Sequence, residues 1–307
     1  MDFGKRPFLI LDGALATELE RQGADLRDDL WSAKLLAEDP SAIRHIHEAY
    51  LRAGADVITT SSYQATVQGF VKKGFSKSQA IDLLKLSTRL AMEARDSFLA
   101  KHPVNFQPTV AVSLGAYGAA LADGSEYRGD YKASLQELKD FHRQRLDVLA
   151  PEGGDILLFE TIPCLKEIRA ITEIISDNPG FEVAVSMSCE KAPTLRSGEP
   201  LNEALNLLNE CAAVSIISFN CTHPANISGL LDYSRTRTVK LLMVYPNSGE
   251  IWDAQRKCWM ENPDDKSLTD YAAEWLQKGA KLIGGCCRTT PEEIRRLHEM
   301  RAELELI

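Results

Sequence analysis

Two adjacent cysteines, Cys286 and Cys287, follow Gly284-Gly285 at the end of a short apolar run, and a helix-start pattern comes directly after them. A third cysteine, Cys221, follows the apolar run from Val214 to Phe219. Thiolates are zinc ligands, and three of them leave one position of a tetrahedral ion open, as in catalytic rather than structural sites. Neighbouring residues of a strand point to opposite faces. Both sulfurs of the pair therefore reach one point only if the chain turns there, and the two glycines permit such a turn. Cysteine as a small buried hydrophobe is the plain alternative, and it is the reading given to Cys164 and Cys189. A redox dithiol made of Cys286 and Cys287 and a non-catalytic zinc module are further alternatives. A phosphate site at Gly284-Gly285 is another.

Something must carry these cysteines to one place. Apolar strand-like runs alternate with helical patterns along the chain: Phe8–Leu11, Asp56–Thr60, Thr109–Ser113, Asp155–Phe159, Glu182–Met187, Val214–Asn220, Lys240–Tyr245 and Leu282–Gly284. Between them lie helix signals such as Asp39-Pro40, an N-cap with proline in the first turn, and Thr290-Pro291-Glu292-Glu293, a capping box. Leu268, Tyr271, Ala272, Trp275 and Leu276 form an apolar stripe at helical spacing, read as core. Glycine closes a helix just before a strand at Gly54, Gly153-Gly154 and Gly279. Eight strands, each followed by a helix, predict an α/β fold, a (β/α)8 TIM-type barrel of parallel strands in a single domain over 1–307. A doubly wound sheet is the alternative, weakened because no glycine-rich phosphate fingerprint follows the first strand.

Chemistry in such a barrel lies at the C-terminal ends of the strands. Those positions hold Asp12, Ser61-Ser62-Tyr63, Glu160, Asn220-Cys221, Tyr245-Pro246-Asn247 and Cys286-Cys287. The sixth and eighth strand ends are near neighbours, so their three cysteines can share one ion. His223 lies close to Cys221 but reads as a helix-cap histidine, and His45 and His47, two apart in a helix, share no face. Gly115 to Tyr131 reads as a long loop, and loops of that length are often functional.

Composition removes other classes. The net charge of −9 and the lack of a basic, aromatic-interleaved stripe argue against nucleic acid. No apolar run is long enough to cross a bilayer, and Met1 to Pro7 is short and polar, without a signal-peptide core. Seven cysteines, an odd number, fit a reducing compartment. A cytoplasmic monomer or homodimer acting on small molecules is expected, with the segment 262–266 exposed.

Leu11-Asp12-Gly13, Phe159-Glu160-Thr161, Asn220-Cys221-Thr222 and Gly284-Gly285-Cys286-Cys287 together resemble the motifs of the homocysteine S-methyltransferase family, and the resemblance runs from Leu9 to Leu297. It implies one Zn2+ per chain held by Cys221, Cys286 and Cys287, which activates the thiol of homocysteine for methylation to methionine. The stretches Tyr117–Tyr131 and Val244–Glu250 are similar to the branch that uses the sulfonium donors S-methylmethionine and S-adenosylmethionine. By the same resemblance, Glu160 and Asp12 hold the amino group of homocysteine, and the region of Ser62 and Tyr63 takes its carboxylate. Trp31, Tyr127, Glu126 and Asp130 offer an aromatic and anionic surface to the cationic donor. Betaine as donor and a selenium analogue as acceptor are the nearest variants. Folate and cobalamin modules are not expected.

Overall fold

The computed structural model describes residues 6–26, 28, 30–176, 180–253, 258–260 and 266–306, with the backbone alone at 251–253 and 258–260. Eight parallel strands form one sheet: Leu9–Ile10 (β1), Val57–Thr59 (β2), Thr109–Gly115 (β3), Ile156–Ile162 (β4), Glu182–Met187 (β5), Val214–Asn220 (β6), Leu241–Tyr245 (β7) and the last, Ala280–Ile283. Two short strands, Ile251–Asp253 (β8) and Cys258–Met260 (β9), form a separate antiparallel hairpin, so the last barrel strand is β10. The order is β1-β10-β7-β6-β5-β4-β3-β2. A parallel bridge between Leu11 and Val57 closes the ring. This is the predicted (β/α)8 barrel.

Each strand is apolar on both sides because it faces two cores. Leu9, Leu11, Leu158, Ile216, Met243 and Leu282 fill the barrel interior. Their alternate neighbours Ile10, Ile58, Val112, Leu157, Phe159 and Ile217 point outward and pack beneath the helices. Burying such side chains contributes about 1.5–3 kcal/mol each. The helical start signals are used as read: the Asp39 side chain accepts from Ala42 N at 3.2 Å, and Thr290 N donates to Glu293 Oε2 at 2.8 Å. Gly54 has φ +100°, and a side chain on it would strike the His298 ring, so glycine is required there on two counts. The Leu268–Gln277 stripe is core, with Tyr271, Ala272 and Trp275 buried.

The structure revises several sequence-based boundaries. Glu160 lies within β4 rather than after it, because the strand continues to Ile162 with a register shift past Phe159. Gly115 to Tyr131 is no plain loop: it holds the helix Tyr117–Leu121 and the 3-10 turn Ser125–Tyr127. The hairpin of β8 and β9 had no signal in the sequence pattern. Residues 1–5 and 262–265 lie outside the described residues, while Lys266 is exposed. Among the described residues no helix is long and apolar enough to cross a membrane.

Candidate functional site

Cys221, Cys286 and Cys287 meet at the C-terminal mouth of the barrel, their sulfurs all within 4.8 Å of one another. Cys221 Sγ is 3.7 Å from Cys287 Sγ, and Cys286 Sγ is 4.0 Å from Cys287 Sγ. Thiolates about 2.3 Å from a shared zinc ion stand about 3.8 Å apart, so both separations fit that donor set. Cys221 and Cys286 are closer, at 2.6 Å, and are free thiols. Hydrogen bonds from Cys221 and Cys286 hold the Cys287 thiol well below the ordinary thiol range. Cys286, which shares its hydrogen with both neighbours inside a buried cluster, is pushed up.

The backbone is bent to make this meeting possible. Cys221 has φ +45°, a left-handed conformation uncommon for a side-chain-bearing residue. The turn at the cysteine pair is made by Arg288, with φ +68°, and closed by Thr289 N donating to Cys286 O at 3.1 Å. It is not made by the glycines, which corrects the sequence reading. A methyl group on Gly284 would lie 2.5 Å from Leu11 Cβ, and one on Gly285 would lie 2.1 Å from Thr289 Cγ2. Both glycines serve close approach. Cys286 N donates to Pro246 O at 2.7 Å, and Ser248 N to Cys287 O at 3.0 Å, which ties the pair to the loop after β7.

Two buried carboxylates share this mouth. Glu160 accepts a hydrogen bond from Ser113 Oγ and another from Tyr245 Oη at 3.1 Å. Burial raises its pKa. Asp12 accepts from Thr59 N at 2.8 Å and from Thr59 Oγ1 at 3.0 Å. Burial, aided by the nearby charge of Glu160, pushes Asp12 up to about 8. Desolvated acids of one sign in one site favour a bound cation.

The remaining expected residues are sorted by their contacts. The Ser62 hydroxyl is fully buried and engaged, donating to Ser113 O at 2.7 Å beside Thr60 Oγ1, also at 2.7 Å. It shapes the strand end, where the backbone of Ser62 and Tyr63 stands at the mouth of the barrel. The Tyr63 hydroxyl is shut off from solvent without a well-formed hydrogen bond, near Cys221. Trp31 stands edge-on to the Tyr63 ring, centroids 6.3 Å apart, and packs partly against the core. Asp130 is exposed and pairs with Arg128 at 3.3 Å. Glu126 is 9% exposed. Its Oε2 is buried with no partner, and burial raises its pKa. Tyr127 brings its hydroxyl to 3.9 Å from Cys221 Sγ. His223 caps the helix Pro224–Ser234 through Nδ1, accepting from Ala225 N at 3.3 Å, as read from the sequence. Cys164 and Cys189 are buried packing residues.

Several residues that shape the site escaped the sequence reading. Ser113 orients Glu160, together with Tyr245, whose strand-end place was already read from the sequence. Arg145, buried on the helix Leu135–Leu149, donates to Gly115 O and Ser62 O, both at 2.7 Å, and to Tyr63 O at 3.0 Å. Burial lowers its pKa to about 10, still cationic at neutral pH. A signal was present: His142 and Arg145 fall on the same helical stripe as Leu138 and Leu149, so two polar residues occupy core-facing positions.

A family model described as homocysteine S-methyltransferase matches residues 9–301. The chain is 49% identical over 300 residues to homocysteine S-methyltransferase 2 of Zea mays, covering 94% of this chain and 88% of that one. It is 43% identical over 312 residues to a selenocysteine Se-methyltransferase of Brassica oleracea var. italica, covering 95% and 88%. The crystal structure of the homocysteine methyltransferase MmuM from Escherichia coli in its metallated form superposes with a TM-score of 0.87, at 41% identity over 96% of this chain and 97% of that chain. With a matching family model over nearly its whole length and a cluster of sulfurs fit to hold a metal, this chain belongs to the homocysteine S-methyltransferase family of enzymes.

Proposed function

We propose that this chain moves a methyl group from a sulfonium compound to the sulfur of homocysteine, giving methionine, in one barrel that holds one zinc ion on Cys221, Cys286 and Cys287. The observation that carries this reading is the convergence of three sulfurs with two buried carboxylates at one barrel mouth. When bound there, zinc supplies an electron-rich thiolate at neutral pH, where a free thiol is mostly protonated.

The chain's own residues do the rest. Glu160, oriented by Ser113 and Tyr245, accepts the ammonium of homocysteine. Asp12 stands behind it, anchored on Thr59. The ammonium returns both acids to their charged forms. The strand end of Ser62 and Tyr63, its carbonyls held down by Arg145, leaves the backbone there to face the amino-acid carboxylate. Glu126, its Oε2 buried without a partner, and Tyr127, its hydroxyl 3.9 Å from Cys221 Sγ, face the positive sulfonium. The homocysteine sulfur attacks the methyl carbon. The carbon–sulfur bond of the donor breaks with its electron pair going to the departing sulfur, which leaves as a neutral thioether. No proton is needed for departure, so alignment is the protein's main task.

The likeness to a selenocysteine Se-methyltransferase supports a second reading in which a selenol serves as acceptor at the same site. Methionine formation from homocysteine, anaerobic and with zinc, tests both across S-methylmethionine, S-adenosylmethionine and betaine, with selenocysteine as rival acceptor. Turnover with a sulfonium and none with betaine is expected. Turnover with betaine alone would overturn the donor reading, and inactivity of zinc-loaded protein with every pair would overturn the activity itself.

A further inference from the structure

Glu167 lies on the helix Leu165–Ser176 and is fully buried. It is one of the few carboxylates at full burial, and it touches neither the sulfurs nor the acids of the mouth in any contact described above. A carboxylate in such a place is costly unless its oxygens are filled. Here they are. Oε1 accepts from Tyr117 N at 2.6 Å and meets His142 Nε2 at 2.7 Å, and Oε2 accepts from Tyr131 Oη.

Tyr117 and Tyr131 are the two ends of the segment that carries Glu126 and Tyr127. Their rings also touch, with centroids 5.3 Å apart, and Phe141 stands 5.2 Å from Tyr117. One carboxylate therefore fastens both ends of this segment to the helical layer. The fastening reaches the site through a short path. Next to Tyr117, Gly118 is packed so closely that a methyl group on it would lie 2.4 Å from Glu126 N. Glu126 and Tyr127 then project toward the thiolates, with Tyr127 Oη 3.9 Å from Cys221 Sγ. A hydrophobic residue at 167 would satisfy the core but hold neither end.

We propose that Glu167 is a positioning residue for the methyl donor: it sets the register of residues 117–131 so that Glu126 and Tyr127 face the sulfonium. This rests on the sulfonium reading above and adds a residue to it. In this proposal the ammonium of homocysteine is held by Glu160 and Asp12, whose hydrogen bonds go to Ser113, Tyr245 and Thr59 and not to Glu167.

Glu167→Gln and Tyr131→Phe test it, the second removing one hydroxyl while keeping the ring. Zinc content, homocysteine affinity, the KM for each substrate, kcat and the thermal midpoint are measured together with hydrogen exchange of the peptide covering 117–131. Expected is a rise in donor KM of about tenfold or more in each variant, the weight of one hydrogen bond to a charged group. Homocysteine KM and zinc content stay at wild-type values, and exchange speeds up across 117–131. A donor KM within about twofold of wild type, or equal rises for both substrates in step with lost thermal stability, overturns the proposal. If the wild-type enzyme uses no sulfonium at all, the donor reading fails. Exchange at 117–131 then still decides the clamp: unchanged protection in both variants rejects it.

Discussion

Thr161 and Asn220 hold each other by a reciprocal pair of hydrogen bonds. Asn220 Oδ1 accepts from Thr161 N at 2.9 Å, and Asn220 Nδ2 donates to Thr161 Oγ1 at 2.8 Å. Thr161 follows Glu160, and Asn220 precedes Cys221. Thr161 and Cys221 both have positive φ, +62° and +45°, so each half of the pair steadies an unfavourable backbone next to a functional side chain. Ser186 fills the remaining lone pair of the same amide oxygen at 2.7 Å. The acid expected to bind the ammonium and a sulfur of the metal cluster are thereby set by one side chain.

Asn220→Ala is expected to weaken zinc and homocysteine binding together and to destabilise the fold by about 2–4 kcal/mol, since it leaves buried donors and acceptors unfilled. Denaturant unfolding and titration of both ligands check this. Loss of zinc alone, with homocysteine affinity and stability intact, would contradict the shared lock.

Cys286→Ser should lose most bound zinc and all measurable methyl transfer, read by metal analysis and methionine formation. A hydroxyl is a far poorer zinc ligand than a thiolate. Full activity in metal-free protein would sink the zinc mechanism.

Asp12 gives a prediction with a sign. Its folded pKa, raised by burial to about 8, lies above its ordinary 3.8, so the folded chain binds more protons than the unfolded one between those values. Stability from this group therefore falls as pH rises through that window. Asp12→Asn should be more stable than wild type without substrate, by a margin that grows from about pH 4 to about pH 8. It should also bind homocysteine more weakly. Thermal midpoints across pH check the first part, and a margin that shrinks with rising pH would refute it.

Arg145→Leu should cost about 3 kcal/mol or more, because it strands the carbonyls of Ser62, Tyr63 and Gly115 beneath the site. Unfolding free energies measure the cost. Arg145→Lys should recover part of it but not all, since an ammonium lacks the planar fork that reaches three acceptors.

The barrel and the meeting of its three cysteines were legible because their signals are local and periodic. Apolar runs, helix caps and glycine junctions mark the alternation, and Cys221 with Cys286-Cys287 stand at strand ends, where this fold gathers its chemistry. The supporting residues were hidden for an opposite reason. Arg145, His142 and Glu167 sit on the apolar faces of helices, where periodicity reports only that a position is inward. Ser113 lies inside a strand run and reads as filler until its partner Glu160 is seen. Ser62 stands at its strand end with its hydroxyl bonded to Ser113 O and Thr60, a pairing that position in the sequence does not report. The glycines before the cysteines suggest a turn of their own, yet Arg288 makes it, and the glycines are there because Leu11, Asp12 and Thr289 leave no room for side chains.

The last strand of the barrel, β10, is also the one that delivers two of the three sulfurs, 65 and 66 residues after Cys221. It slots between β1 and β7 and completes the ring. A nascent chain on the ribosome thus has no metal site until its final strand has emerged and docked. Under the zinc reading proposed above, metal loading follows the docking of β10, and a retained ion reports that the whole ring has been assembled.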